Sequence, residues 1–346
     1  MLHQAAELTA APSDMCGLVE QGKLSVVGRF EPCASGALRL SWSGAGLRAR
    51  FSGTGLRMTH KGPTLRYAVV VDGKQQADLL LEEGTASVTV VHGLPPAEHE
   101  VQILRQGEAL FGVSAFTHIE ALDGVLLSAP AAPARRLEIY GDSISCGYGN
   151  EGKDTSCGFS LATENHFLSY GGLLSRELSA DLSTIAWSGR GVVRNYNGEV
   201  AATLVDLAEL ALPQENKRWQ YPSQLAPDAV LINLGTNDYS TEPDPQNEDF
   251  IEQYVKLLAQ IRKHYPQTFI VCTIGPLLGD EDLKKAQANI EQAVTRRHNA
   301  GDPRVASHAM QTTNEHPGCD WHPGLVTHQK MAHELAGVLR GLLHWN

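Results

Sequence analysis

The apolar residues of this chain change their spacing near residue 130, and this change constrains the fold more than any other feature. Before it, apolar and polar residues alternate with a period of two, as at Leu47, Ala49 and Phe51. Successive side chains of a strand point to opposite faces, so such alternation is typical of half-buried strands. Turn signals recur about every 8–12 residues, which predicts a β-sandwich in residues 1–130.

A different pattern follows the proline- and alanine-rich residues 128–134, which resemble a short stiff linker. Short apolar runs now alternate with stretches of helical spacing, up to a last helix over residues 326–343. Strands that alternate with helices predict a parallel sheet covered on both faces. We therefore expect an α/β protein with a domain boundary near residue 130: a β-sandwich over 1–130 and a three-layer α/β/α domain over 131–346.

Composition and charge exclude several classes of protein. The chain of 346 residues is 42% hydrophobic and 19% charged, which is typical of a globular protein. With 28 Lys and Arg against 39 Asp and Glu, the net charge is −11. A basic face for nucleic acid or for an anionic membrane surface is therefore not expected. The first 16 residues lack the basic segment and apolar core of a signal peptide, so the compartment stays open.

Three motifs lie where predicted strands end, which is the edge of a parallel sheet at which ligands bind. Ser143, in the sequence GDSI, is a candidate nucleophile or, alternatively, a helix cap. Residues 188–192 (SGRGV) allow either close backbone approach to a ligand or a simple turn. In residues 233–238 (NLGTND), Asn237 could donate its amide to an oxyanion or form an Asx-turn.

A fourth motif, residues 318–324 (GCDWHPG), contains a candidate general base. Asp320 lies close enough to His322 to orient it, as the third residue of a serine triad does, or else it is a turn residue. No two histidines have the spacing of a metal-ligand pair with a carboxylate, so we predict neither a metal nor a cofactor. We expect the three neighbouring histidines to lie on the surface or on a helix face: His316, His328 and His333.

In this order, the four motifs resemble the sequence blocks of the SGNH, or GDSL-type, hydrolases. The resemblance is closer to carbohydrate esterase family 2, the bacterial acetyl-xylan esterases, and it rests on GDSISCGYGNEG, ENHFLSYGGLLSREL, SGRGVVRN, NLGTND and GCDWHP. It implies a jelly-roll domain followed by an SGNH hydrolase domain. It also implies a serine esterase that removes O-acetyl groups from polysaccharides or oligosaccharides, with a preference for the 6-hydroxyl, outside the cell or in the periplasm.

The resemblance assigns roles residue by residue. Ser143 would be the nucleophile and His322 the general base. The oxyanion hole would consist of the Ser143 backbone N–H, a glycine N–H of the second block and the Asn237 side chain. We take that glycine to be Gly191 and not Gly189, because in the superfamily the donor closes the block.

The resemblance is incomplete at the residue that orients the base. Most SGNH enzymes place an aspartate three residues before the histidine, whereas Asp320 stands two before His322. Either the Asp320 carboxylate or a backbone carbonyl would therefore hold the imidazole.

Tryptophans and cysteines complete the expectations. Trp187 and Trp321 flank the motifs and are candidates for stacking on sugar rings, whereas Trp42 is expected in the core. Cys146 is expected to be structural, with Cys157 as a possible disulfide partner.

Two other functions compete with acetyl esterase. One is a lipase or thioesterase on the same scaffold, which would need a broad apolar acyl groove. The other is a carbohydrate-binding protein without catalysis, in which the sandwich and the tryptophans would bind glycans.

Overall fold

The computed structural model describes residues 14–31 and 36–345. A short helix, α1 (Met15–Glu20), precedes the first strand. The strands up to residue 126 are β1 (Leu24–Val27), β2 (Leu38–Leu40), β3 (Gly46–Gly53), β4 (Gly55–Gly62), β5 (Leu65–Val71), β6 (Lys74–Gln75), β7 (Leu79–Leu81), β8 (Gly84–Val91), β9 (Ala97–Arg105), β10 (Ser114–Leu122) and β11 (Val125–Leu126).

These strands form two antiparallel sheets. The larger sheet has the order β1-β3-β9-β5-β6, with β11 paired to β3 and β7 paired to β5, and the smaller has the order β2-β10-β4-β8. Alternate residues of β3, Leu47, Ala49 and Phe51, are fully buried in one cluster with Phe116 and Ile119 of β10. The expected β-sandwich is therefore present, and its core lies between the two sheets.

The remainder of the chain alternates strands with helices. Its strands are β12 (Arg135–Gly141), β13 (Ala180–Ala186), β14 (Leu210–Leu212), β15 (Lys217–Arg218), β16 (Ala229–Asn233), β17 (Phe269–Thr273) and β18 (Val305–Ser307). Its α-helices are α2 (Ser143–Cys146), α3 (Tyr170–Glu177), α4 (Leu204–Leu207), α5 (Asn247–His264), α6 (Asp280–Asn299) and α7 (Leu325–Leu343).

Five of these strands form a parallel sheet with the order β13-β12-β16-β17-β18, which is buried on both faces. Leu137 and Ile139 of β12 pack in one cluster with α3 and α7, and Tyr140 on the other face packs with α4, α5 and α6. The helices thus cover both faces, as the sequence predicted. None of the helices in the described part of the chain is long and apolar enough to span a bilayer.

The sheet order places the candidate residues at one edge. From β12, the chain adds β13 on one side and β16 on the other, so β12 and β16 flank the topological switch point. Ligands of open α/β sheets bind beyond the carboxyl ends of the strands at such a point. Ser143 follows β12 and Asn237 follows β16 at that edge.

Two residues of the sandwich region enter the core of the α/β region. Arg29 is fully buried and donates to Glu138 Oε1 at 2.9 Å and to Tyr140 Oη at 2.7 Å. Trp42 is buried as predicted, but it lies just beyond β2 and not in a strand. Its Nε1–H donates to the carbonyl oxygen of Leu210 at 3.0 Å, because this indole packs between the two regions.

Candidate active site

The nucleophile candidate stands at the first position of a short helix. Asp142 caps α2 by accepting the Ile144 N–H on Oδ1 at 3.0 Å, and burial raises the pKa of this carboxyl to about 7. A Cβ on Gly141 would lie 1.9 Å from Ser145 Oγ, so only glycine fits between β12 and the first turn of α2. Ser143 is 5% exposed.

His322 lies against Ser143 as a general base should. Its Nε2 is 2.8 Å from Ser143 Oγ, a hydrogen bond between residues 179 positions apart in sequence. A base at this distance can take the hydroxyl proton as the oxygen attacks. The structure thus brings together the two residues on which the sequence-based hypothesis depends.

The backbone of Asp320, and not its carboxylate, contacts the imidazole. His322 Nδ1 lies 3.1 Å from the Asp320 carbonyl oxygen. If Nδ1 carries the proton and donates it to this carbonyl, Nε2 is unprotonated and faces Ser143. This is the tautomer that a general base requires. Of the two arrangements left open by the sequence, the structure has the backbone carbonyl.

The Asp320 carboxylate instead accepts a hydrogen bond from Tyr148. The Tyr148 hydroxyl donates to Asp320 Oδ2 at 2.7 Å, and the Tyr148 ring stacks on the His322 imidazole with ring centroids 4.0 Å apart. Phe159 stacks on the other side of Tyr148 at 4.5 Å. Tyr148 was not singled out in the sequence, although its position five residues after Ser143 in GDSISCGYGNEG was a signal that could have been used.

The loop that carries His322 is fixed by a disulfide bond. Cys157 and Cys319 are bonded, and the Asp320 N–H donates to the Cys157 carbonyl oxygen at 3.1 Å. The expected pairing of Cys146 with Cys157 is therefore wrong: Cys146 is a free, buried thiol at the end of α2. Asp320 adopts a left-handed conformation (φ 49°) within this loop.

Burial sets the protonation state of the base. It lowers the pKa of His322 to about 4, and the hydrogen bond from Nδ1 to the Asp320 carbonyl offsets this effect only in part. The imidazole is consequently neutral at pH 7 and can accept a proton from Ser143.

Three N–H groups at this edge of the sheet are candidate donors to an oxyanion, and one of them differs from the three that the sequence suggested. Within the described residues, the backbone N–H of Ser143 has no hydrogen-bond partner. One N–H of the Asn237 amide donates to the Arg190 carbonyl oxygen at 2.9 Å, which fixes the amide and leaves its second N–H available.

Gly191 does not fit the role that the sequence analysis gave it. Its N–H is buried and donates to Asn195 Oδ1 at 3.2 Å, so it is not available to a ligand. By contrast, no acceptor among the described residues contacts the N–H of Gly189, and Gly189 has a φ of 79°. The rule that the donor closes the block therefore points to the wrong glycine. The backbone turns at Gly189, whereas the N–H of Gly191 is already hydrogen-bonded to Asn195.

Asp238, which follows Asn237, fixes the rest of the second block. Its buried carboxylate accepts the backbone N–H groups of Val192, Val193 and Arg194 at 2.7–3.1 Å. Burial raises the pKa of Asp238 to about 6, against the effect of these hydrogen bonds. The NLGTND motif thus supplies both a donor and the residue that holds the neighbouring loop.

Of the two tryptophans proposed for sugar binding, only one presents an open ring. Trp321 is 67% exposed beside His322. Trp187 is half-buried against the core, with the Arg190 guanidinium 5.2 Å above its ring. A further exposed ring, missed in the sequence, is that of Tyr196, which is 54% exposed and whose N–H donates to the Gly189 carbonyl oxygen at 2.8 Å.

The three neighbouring histidines lie on the surface or on a helix face, as expected. His316 and His333 are exposed. His328 is on α7 but fully buried, and its Nδ1 accepts the Tyr170 N–H at 3.0 Å. A helix face is one of the two expected positions, and this face of α7 is buried because α7 packs on α3 along this side.

Two groups of side chains in the described residues have ligand atoms close enough for a metal ion. One is Glu242, Asp244 and Asp282, where Lys285 Nζ already lies 2.7 Å from Asp244 Oδ2. The other, Glu108, Cys146 and Glu164, is fully buried at the C-terminal end of α2. Neither group includes Ser143 or His322.

Comparison with known proteins gives the site a family context. The model of the carbohydrate esterase 2 N-terminal domain matches residues 26–130, and that of the GDSL-like lipase/acylhydrolase family matches residues 139–328. A family two carbohydrate esterase from Clostridium thermocellum, solved in complex with cellohexaose, aligns with a TM-score of 0.89 at 32% identity over 93% of this chain and 100% of that one. A family two esterase from Cellvibrio japonicus aligns with a TM-score of 0.84 at 26% identity over 94% and 96% of the chains.

A curated relative, the cellulase/esterase CelE of Acetivibrio thermocellus, is 34% identical over 281 residues, which are 81% of this chain and 34% of CelE. This chain thus spans about a third of the length of that relative. The match to the Clostridium thermocellum esterase extends over that whole chain and over both regions of this one. This chain therefore belongs to carbohydrate esterase family 2, and its C-terminal region is an ester-hydrolase domain of the GDSL type.

Proposed function

We propose that this protein is a serine esterase that removes O-acetyl groups from carbohydrates through an acetyl-serine intermediate. The observation that carries the proposal is the 2.8 Å hydrogen bond between Ser143 Oγ and the neutral His322 Nε2. A serine needs an adjacent base to become a nucleophile, and this pair meets that requirement.

The reaction follows from the positions of the groups. Ser143 Oγ attacks the acetyl carbonyl carbon while His322 Nε2 takes the hydroxyl proton, and the Asp320 carbonyl oxygen stabilises the imidazolium through Nδ1–H. The sugar hydroxyl leaves with the proton from Nε2. Water, activated by the same nitrogen, then attacks the acetyl-serine and releases acetate, which restores the serine.

Three donors would stabilise the negative oxygen of both tetrahedral intermediates. They are the backbone N–H groups of Ser143 and Gly189 and the free amide N–H of Asn237. Loss of one such donor typically costs about 2.7–4 kcal/mol of transition-state stabilisation. The Asn237 donor is held in place before substrate binds, because its amide donates its other hydrogen to the Arg190 carbonyl oxygen.

A carbohydrate leaving group is supported by the exposed rings at the site. Trp321 and Tyr196 offer flat apolar faces next to the base and next to Gly189, respectively. A curated relative from Cellvibrio japonicus, 28% identical over 284 residues, is named acetylxylan esterase / glucomannan deacetylase. The preference for a primary 6-O-acetyl group rests on the family resemblance.

The disulfide bond supports a location outside the cytoplasm. Disulfides persist in oxidising compartments, and Cys157–Cys319 lies in the loop that carries His322. We propose an extracellular or periplasmic protein, for which activity in the culture medium or periplasmic fraction of the source organism is the test.

The test of the enzymatic proposal is acetate release from 6-O-acetyl glucosides and from 2-O- or 3-O-acetyl xylosides, together with a series of p-nitrophenyl esters. We expect kcat/KM to fall from acetyl to butyryl esters, since each surplus methylene in a cramped pocket costs about 1–3 kcal/mol. Faster hydrolysis of octanoyl than of acetyl esters would instead support a lipase. Serine-independent activity, measured with Ser143→Ala, would refute the mechanism.

A matched pair of variants tests sugar stacking. Trp321→Ala should raise KM for acetylated oligosaccharides but leave KM for p-nitrophenyl acetate within about threefold, because stacking on one aromatic ring contributes about 1 kcal/mol only where a sugar is present. Trp345→Ala, two residues beyond the end of α7, serves as the control. Equal KM changes for both substrates would contradict the assignment of Trp321 to sugar binding.

A further inference from the structure

A carboxyl group of the β-sandwich region reaches into the catalytic region. Glu108 follows β9 and precedes a single 3₁₀ turn, Ala109–Phe111. The buried guanidinium of Arg105 fixes this loop by donating to the carbonyl oxygens of Gly107 at 2.8 Å and Gly112 at 2.8 Å. The loop is thus held rigidly, and Glu108 itself is fully buried.

One oxygen of Glu108 contacts both segments that carry backbone donors of the candidate oxyanion hole. Glu108 Oε2 accepts the Ser188 N–H at 2.7 Å, and Ser188 immediately precedes Gly189. The same oxygen accepts the Cys146 thiol at 3.7 Å, and Cys146 is the last residue of α2, which begins at Ser143. The two segments are therefore linked through a group that neither of them contains.

Glu164 completes the cluster. Its Oε2 accepts the Glu108 N–H at 3.2 Å, and both carboxyl groups are fully buried with ligand atoms no more than 4.8 Å apart. Burial raises the pKa of both carboxyls, and repulsion from Glu108 adds to the rise at Glu164. Burial also raises the pKa of the Cys146 thiol. Burial therefore disfavours the thiolate and the two carboxylates that a metal ion would need at this cluster.

We propose that Glu108 is a positioning residue of the esterase: it holds the Ser188–Gly189 backbone against α2, so that the Gly189 and Ser143 N–H groups converge on one oxygen. The β-sandwich thereby completes the active site through a side chain and does not act only as a neighbouring domain. This inference rests on the serine-esterase mechanism proposed above, since the donors matter only if an oxyanion forms.

The test compares two substitutions of similar volume. Glu108→Gln keeps an oxygen that can accept the Ser188 N–H, whereas Glu108→Leu removes the acceptor. We expect Glu108→Leu to lower kcat for p-nitrophenyl acetate by about 10- to 100-fold with KM changed less than about threefold, since a misplacement of about 1 Å can cost up to 100-fold. Glu108→Gln should stay within about threefold of the parent in kcat.

A matched control separates positioning from general stability. Glu138 is also buried and also joins the two regions, through Arg29 at 2.9 Å, but its side chain contacts no donor segment of the site. Glu138→Gln should lower the melting temperature while kcat stays within about threefold of the parent. If Glu108→Leu behaved in the same way, with a lower Tm and an unchanged kcat, the positioning role would be refuted.

Two further variants keep the test decisive. Should Glu108→Leu fail to fold, Glu108→Asp retracts the carboxylate by one methylene and should lower kcat in the same direction; an unchanged kcat in this variant would overturn the proposal. Ser143→Ala tests the mechanism independently. Full activity of Ser143→Ala would refute the proposed function, whereas an inactive Ser143→Ala with a fully active Glu108→Leu would refute only the role of Glu108.

Discussion

The substitution Asp320→Asn tests how the catalytic base is oriented. In a serine triad, the aspartate accepts Nδ1–H of the histidine, and its replacement by asparagine lowers kcat by about 10⁴-fold because the wrong tautomer results. Here the acceptor of Nδ1–H is the Asp320 carbonyl oxygen at 3.1 Å, which the substitution leaves in place. We therefore expect a much smaller loss.

The magnitude follows from the contact that the Asp320 carboxylate does make. It accepts the Tyr148 hydroxyl at 2.7 Å in an exposed position. A hydrogen bond to a charged group contributes about 1.5–3 kcal/mol, and solvent reduces this to about 1 kcal/mol at the surface. Asparagine retains an acceptor oxygen and tolerates the left-handed φ of 49°. A loss of at most 1 kcal/mol corresponds to about fivefold in kcat.

The assay measures the initial rate of acetate release from an acetylated sugar. The Ser143→Ala variant gives the background rate. Asp123→Asn is the matched control, since Asp123 also has a positive φ of 53° and accepts a hydroxyl, that of Thr54, at 2.6 Å, but lies on the sandwich. Asp320→Asn should retain at least a tenth of the parental kcat, and Asp123→Asn nearly all of it. A loss of 10³-fold or more for Asp320→Asn would show that the carboxylate orients His322 and would refute the reasoning.

Three further predictions concern the same site. His322→Ala should reduce kcat by several orders of magnitude, and the double variant with Ser143→Ala should be hardly slower, because residues that act as one unit are not additive; additive losses would contradict the pairing. His322 must be neutral to accept the proton. Its pKa of about 4 predicts that kcat/KM is constant from pH 7 down to about pH 5 and falls below about pH 4. A fall in kcat/KM that begins near pH 6.5 would contradict this prediction. Reduction of the Cys157–Cys319 disulfide, or Cys157→Ser, should lower both Tm and kcat because the bond closes a separation of 162 residues next to the base; unchanged kinetics after complete reduction, checked by thiol titration, would show that the loop holds its shape without it.

Local patterns in the sequence predict the types of the elements and the positions of the motifs. Alternation at Leu47, Ala49 and Phe51 and helical spacing over residues 326–343 predicted a sandwich and a covered parallel sheet, and both are present. These patterns are local, because the period of apolar residues reflects which face of one element is buried. Ser143 and Asn237 could likewise be placed at a sheet edge, since each directly follows a strand.

Which atoms of those motifs come into contact depends on how distant parts of the chain pack together. The Asp320 carbonyl and not its carboxylate faces His322, and among the residues that the structure describes the N–H of Gly191 has an acceptor whereas that of Gly189 has none. These outcomes depend on backbone turns with positive φ, which the sequence of side chains does not reveal. The contact of Glu108 with Ser188 joins residues 80 positions apart, one after a strand of the sandwich and the other after a strand of the parallel sheet, and the partner of Cys157 is Cys319 at a separation of 162 residues. Contacts at such separations arise from the packing of whole elements against one another, so no local pattern in the chain encodes them.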